Sequence, residues 1–158
     1  MYTAIGAQTP PKGVDAIAAY AGVWKTHIDH LDTAYSKAGH EDTNLKNDCW
    51  KSGVYLACRQ IVNGDPKILL VFTCKDEHNC TSYQVPPDGS APGSGPVELN
   101  GSTWTFPWST TENGKTTHFR VVNVWSSPTT IDFRQEFSTD GQNWTPMATG
   151  HETKIADK

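Results

Sequence analysis

The stretch FRQEFSTDGQNW, Phe133 to Trp144, decides how the chain is to be read. From Ile131 to Phe137 the side chains alternate with the two-residue period of a strand: Phe133, Gln135 and Phe137 on one face, Asp132, Arg134 and Glu136 on the other. The alternation stops at the turn dipeptide Asp140-Gly141, and a second strand is expected to open at Trp144 and run to Glu152. Two strands joined this closely form an antiparallel corner. Solvent-facing ion pairs account for the charged face of the first.

The same grammar recurs outward from this corner. Asn113-Gly114 turns into Thr116–Trp125, Ser126-Ser127-Pro128 into Thr130–Phe137, and Asn63-Gly64-Asp65-Pro66 into Lys67–Cys74. Val97–Leu99 and Ser102–Trp108 flank Asn100-Gly101, with Trp104, Phe106 and Trp108 sharing a face, and Thr81 starts a further strand to Val85. Thr43–Val62 holds two strands turning at Gly53, and Val23–Leu31 alternates with Trp24, Thr26, Ile28 and His30 together. Asp32–Asp42 is a polar loop, and Pro86–Pro96 is a Gly- and Pro-rich lip. Val14–Tyr20 suits one or two helical turns, and residues 1–13 read as a flexible arm. The expected fold is all-β: an antiparallel up-and-down barrel of about eight to ten strands with one short N-terminal helix, a single domain over residues 14–158. A two-sheet sandwich is the alternative. A barrel of this size either fills with side chains or holds one small ligand.

Composition narrows the function classes. A net charge of −4, with 13 Lys and Arg scattered along the chain, offers no basic stripe for nucleic acid. The longest apolar run, Ile68–Phe72, is far short of the roughly 20 residues that span a bilayer, so no membrane span is expected. The four cysteines, Cys49, Cys58, Cys74 and Cys80, lack a zinc spacing and read as disulfides, with free thiols as the alternative. A hairpin turning at Glu77 sets Cys74 opposite Cys80, which leaves Cys49 for Cys58. Two bridges point to a secreted or periplasmic compartment, with the export signal not among these residues.

Gly22-Val23-Trp24 after a short helix resembles the Gly-x-Trp opening of lipocalin-like barrels. Asn100-Gly101-x-x-Trp104 and the terminal Asp140-Gly141-x-x-Trp144 extend the resemblance, over Ala21–Lys154, to bacterial lipocalin-like families of unknown function, the DUF1579-like group. The resemblance implies a calycin-type barrel with an apolar central cavity and supplies no reaction. It also implies that Trp24 closes the floor beneath a late-strand arginine, either Arg120 or Arg134. The Thr-Asp-Tyr motif of lipocalins proper is absent.

Six tryptophans are more indole than a small barrel needs for packing. Trp24 and Trp144 are expected to cap its ends, while Trp104, Trp108 and Trp125 are the pocket candidates, with Asn123 and Gln135 as polar orienters. Arg120 could hold a ligand carboxylate. His30, on the face of Trp24, could orient a ligand or act as general base, against the plainer reading of a hydrogen-bonded rim residue. His30, His118 and Glu136 could in principle meet at a metal, but their spacing does not indicate one, and neither metal nor cofactor is expected. No nucleophile elbow, phosphate loop or dinucleotide fingerprint is present. The leading expectation is a binding protein, monomer or dimer, whose partner is a small hydrophobic or aromatic ligand held in a tryptophan-lined cavity. The alternatives are a cavity enzyme of isomerase, lyase or cyclase type using His30, and a filled barrel working through its surface.

Overall fold

The computed structural model of the chain describes residues 12–158. Ten strands follow one another: β1 (Gly22–His30), β2 (Gly39–Ser52), β3 (Tyr55–Val62), β4 (Asp65–Cys74), β5 (Asn79–Val85), β6 (Gly93–Asn100), β7 (Thr103–Glu112), β8 (Lys115–Ser127), β9 (Thr130–Ser138) and β10 (Thr145–Ala156). Each pairs antiparallel with its chain neighbour, and β1 closes on β10. This is the up-and-down barrel expected from the sequence, with every strand paired on both sides for at least part of its length. Ahead of β1 lie α1 (Lys12–Ile17) and a 3-10 turn, Ala18–Tyr20. The helix begins two residues before Val14, and the rest of the expected N-terminal arm lies outside the described residues.

Register fixes which side chains point inward, because residues opposite one another share a face. Trp104 pairs with Asn123, Phe106 with Val121 and Trp108 with Phe119, and across the next seam Val121 pairs with Gln135 and Asn123 with Phe133. Those residues form the inner face. His118, Arg120 and Val122, one position off, face out. Gly150 lies opposite Phe133, and a Cβ there would come within 2.1 Å of that ring, so the closing strand must be bare where the ring crosses it.

One end of the barrel is filled. Val14 and Ile17 of α1 are fully buried against Leu56, Cys58, Phe72, Val97, Leu99 and Trp104. Beside them Tyr20, Trp24, Trp104 and Trp125 interlock, edge-on except for the tilted Trp104–Trp125 pair, with ring centroids 4.9–6.3 Å apart. The helix is the plug of a floor that this aromatic lock completes. Two disulfides tie the same end, Cys49–Cys58 across β2 and β3 and Cys74–Cys80 across β4 and β5, the pairing read from the sequence. A Cβ on Gly13 would come within 2.8 Å of Cys74 Sγ, so the helix seats directly on the second bridge.

The turns follow their chemistry with one exception. Asn63-Gly64 and Asn113-Gly114 have positive φ at both positions, as two-residue hairpins require. The corner after β9 instead runs through residues 139–144 before β10 opens at Thr145. Asp140 accepts the backbone N–H groups of Gln142 (2.8 Å) and Asn143 (2.7 Å), and Ser138 Oγ accepts that of Gly141 (2.9 Å). The Asn143 backbone and side-chain N–H groups, then the Gln142 N–H and the Ser138 hydroxyl, hold the Asp140 carboxyl far below the usual carboxylate range. The scaffold curls Trp144 onto the outer wall, where its ring lies 3.9 Å from the Arg120 guanidinium carbon. The expectation that Trp144 starts a strand and caps a barrel end is therefore corrected. A second difference concerns Gly93–Pro96, which belong to a strand and not to the lip. They pair with β5 through Gly93–Gln84 and Pro96–Thr81, while pairing with β7 is confined to Glu98–Asn100. A strand paired on one side only tolerates the missing N–H of Pro96.

At the other end, residues 31–38 fold over the mouth. Tyr35 presents its ring edge-on to Phe119 (5.2 Å) and Phe137 (4.7 Å), and its hydroxyl meets Thr117 Oγ1 at 3.1 Å.

Candidate functional site

Between the filled floor and the mouth the barrel is hollow. A deeper compartment of about 270 Å³ and an upper one of about 440 Å³ share Leu45, Gln60, Val121, Asn123 and Glu152 as walls. Leu70, Phe72 and Phe106 line the deeper part, and Ile28, Val62 and Phe133 the upper. Apolar walls with a few convergent polar groups are the usual make-up of a small-molecule site. Two wider clefts, about 690 Å³ around Tyr35 and Lys115 and about 620 Å³ between Pro107 and Trp144, lie at the rim and on the outer wall. They are larger but lined mostly by exposed residues, whereas the buried polar groups converge on the interior cavity.

Those polar groups are organised by Tyr20, which the 3-10 turn projects into the barrel. Its carbonyl accepts hydrogen bonds from Trp24 Nε1 (3.0 Å) and Asn47 Nδ2 (3.1 Å), and its hydroxyl accepts one from Asn123 Nδ2. Glu152 enters from β10 opposite Thr26, whose hydroxyl donates to Glu152 Oε1 at 3.4 Å. Glu152 is half-buried, and the surface it shows lines the cavity. Burial pushes its carboxyl up to about 7, against smaller lowering effects of the Thr26 hydroxyl and His151. Burial also raises the Tyr20 phenol well above its ordinary value, and the nearby Glu152 adds to the rise. Asn47, only 4% exposed, leaves Oδ1 without a partner, as does Trp125 at Nε1. A carboxyl that titrates near neutrality can accept hydrogen bonds or exchange a proton with whatever occupies the cavity.

The residues singled out in the sequence fall into three places. Asn123 and Gln135 line the cavity. Trp104 and Trp125 belong to the floor, in ring contact with each other and with Tyr20. Trp108 stacks on Phe119 near the mouth, at 5.4 Å and 12°, and remains 46% exposed. His30 sits at the rim, with Nε2 3.7 Å from Glu41 Oε2. Arg120 lies on the outer wall, donating from Nε to Glu136 Oε2 (2.6 Å), while Arg134 Nε donates to Glu136 Oε1 (2.8 Å). Neither arginine covers Trp24. Lys154 does so, with Nζ 5.1 Å from the ring centre and donating to the Ala19 carbonyl at 2.9 Å. His30 on the inner face is separated by the barrel wall from His118 and Glu136 on the outer one, and no three potential ligand side chains converge among the described residues.

Sequence reasoning missed Glu152, Tyr20, Thr26, Asn47 and Gln60. The signal available for Glu152 was its pairing with Thr26, which exists only once β10 is closed on β1.

No protein-family model matches the chain, and no curated protein matches it in sequence. Its fold is similar to solved structures. One is the crystal structure of Rv2717c from M. tuberculosis, with a TM-score of 0.51 at 10% identity over 92% of this chain and 99% of that one. Another is the S-type phycobiliprotein lyase CPES from Guillardia theta, with a TM-score of 0.49 at 12% identity over 92% and 93% of the two chains. At such low identity the likeness to the first shows the fold alone, and together with the closed ten-strand meander it fits a lipocalin-like barrel fold.

Proposed function

We propose that the protein binds a small apolar or aromatic molecule inside the barrel. The observation that carries this reading is the hollow between a tightly filled floor and the mouth, walled by Leu70, Phe72 and Phe106 with Asn123, Gln135 and Glu152 turned into it. A barrel acting only through its surface needs no such space. The two disulfides support a secreted or periplasmic site of action. Gly22-x-Trp24 and Asp140-Gly141-x-x-Trp144 support an affiliation with the bacterial DUF1579-like group. The test is a thermal-shift and fluorescence panel of fatty acids, flavonoids, haem, retinoid-like probes and aromatic amines. A ligand at 100 times its Kd raises stability by about 2.7 kcal/mol, an easily measured shift. Lack of any shift, with tryptophan emission unchanged throughout, overturns the proposal.

A second reading, a cavity enzyme performing an acid-base step, draws on Glu152 beside the Tyr20 phenol. It moves the acid or base from His30, held at the rim, to Glu152. Mass spectrometry of a co-purified molecule after incubation with wild type and Glu152→Gln separates the two. Conversion by wild type alone supports the enzyme, and recovery of the molecule unchanged from both supports binding.

A further inference from the structure

We propose that the cavity selects a cationic amphiphile, a primary amine carried on an aromatic or short alkyl body, with its ammonium at Glu152 and its body against Leu70, Phe72 and Phe106. This deepens the binding reading above and rests on it.

The charged inventory of the cavity is one-sided, while Gln60 and Gln135 bring neutral amides that both donate and accept. Glu152 brings two carboxylate oxygens and receives one long hydrogen bond, 3.4 Å from Thr26. Asn47 Oδ1, in the same deeper compartment, is buried and receives none. Asn123 directs an amide N–H onto the Tyr20 hydroxyl, which leaves its oxygen for an occupant. Unfilled acceptors and a carboxylate call for a ligand that donates hydrogen bonds and carries positive charge.

Among the described residues no side chain turned into the cavity supplies that charge, since none of those lining it is Lys, Arg or His. Lys154, two residues along β10, is engaged with the Ala19 carbonyl and the Trp24 ring. His151 faces outward, its Nδ1 2.7 Å from Asp132 of β9. On β1, Lys25 and His27 also face outward, and His27 lies between Asp29 and Asp42. From β8 and β9 the inward polar groups are the neutral Asn123 and Gln135, and the 3-10 turn adds only the Tyr20 phenol. At the upper rim Glu41 of β2 adds a second negative charge, with His30 3.7 Å away. An anionic headgroup would meet two carboxylates, whereas an ammonium would meet the pairing that Glu152 lacks.

The test is calorimetric titration of the full chain with three isosteric probes: phenethylamine, 2-phenylethanol and 3-phenylpropionate. At pH about 8 the amine is expected to bind at least about tenfold tighter than the alcohol, and the carboxylate most weakly. As pH falls to about 5.5 and Glu152 takes up a proton, the amine's advantage should shrink to about twofold or less. Glu152→Gln should remove that advantage at pH about 8, so that amine and alcohol bind within about twofold of each other. If the variant fails to fold, the pH series on wild type decides alone. An amine-to-alcohol ratio near one at both pH values, or one that a folded Glu152→Gln leaves unchanged, overturns the inference. Binding of the alcohol in that case leaves the cavity reading standing. Failure of all three probes while larger neutral molecules bind also overturns only the inference. Failure of every molecule overturns both.

Discussion

The two halves of the barrel use the same strands for opposite ends. Toward the floor the inward positions are Trp24, Trp104 and Trp125, sealed by Val14 and Ile17 and tied by both disulfides. A few residues further along the same strands the inward positions are Thr26, Asn123 and Gln135, and a hollow opens. On β8 the change takes one step, from Trp125 to Asn123. Dense aromatic packing supplies stability at one end, so the other can hold polar groups that cost stability unless something binds them.

Breaking the floor should therefore have the largest effect. Trp24→Ala removes a fully buried ring and its hydrogen bond to Tyr20, and should cost about 3–5 kcal/mol in urea denaturation. A cost near 1 kcal/mol would mean that the floor is not the stabilising half. Next come the bridges, which close loops of nine and six residues. By chain entropy each contributes about 2.5 kcal/mol, so a Cys49→Ala, Cys58→Ala double variant should lose about that much and retain the barrel by circular dichroism.

The hollow half should respond in the opposite sense. Glu152 binds its proton more tightly folded, at about 7, than unfolded, at its ordinary 4.5. The folded chain thus holds the extra proton between those values, and the stability this gives, complete below about 4.5, is lost as pH rises to about 7. Glu152→Gln should gain about 1–3 kcal/mol over wild type at pH about 8, less than the full shift because the group opens on the cavity, and nothing at pH about 4. A variant less stable than wild type at pH about 8 would mean that the carboxylate is paired after all. Smallest is Tyr35→Ala at the mouth, about 1 kcal/mol or less, with ligand exchange accelerated several-fold in stopped-flow mixing.

The contrast also separates what the sequence disclosed from what it hid. Strand order was legible because Asn63-Gly64 and Asn113-Gly114 leave little choice of turn and because Trp104, Phe106 and Trp108 alternate cleanly. The cysteine pairing followed from hairpin geometry. The cavity wall on β10 was hidden because that strand reads Thr-Pro-Met-Ala-Thr-Gly-His-Glu-Thr-Lys-Ile-Ala, with Ala148, Gly150 and Glu152 inward and no apolar alternation to mark the face. Arg120 and Asn123 illustrate a subtler point. Three residues apart on one strand they face opposite ways, so no single pocket could take both. The curl of Trp144 onto Arg120 depends on Asp140 gathering backbone donors, which Asp-Gly alone does not distinguish from a tight hairpin.

The central claim, that ligands enter the interior above the floor, is tested most directly by NMR titration of ¹⁵N-labelled protein with 2-phenylethanol. The side-chain amide signals of Asn123, Gln60 and Gln135 are expected to shift in a saturable way, while the indole signals of the exposed Trp50 and the outer-wall Trp144 stay in place. Saturable shifts confined to the cleft that Trp108 and Trp144 line, with the interior amides unmoved, would contradict it.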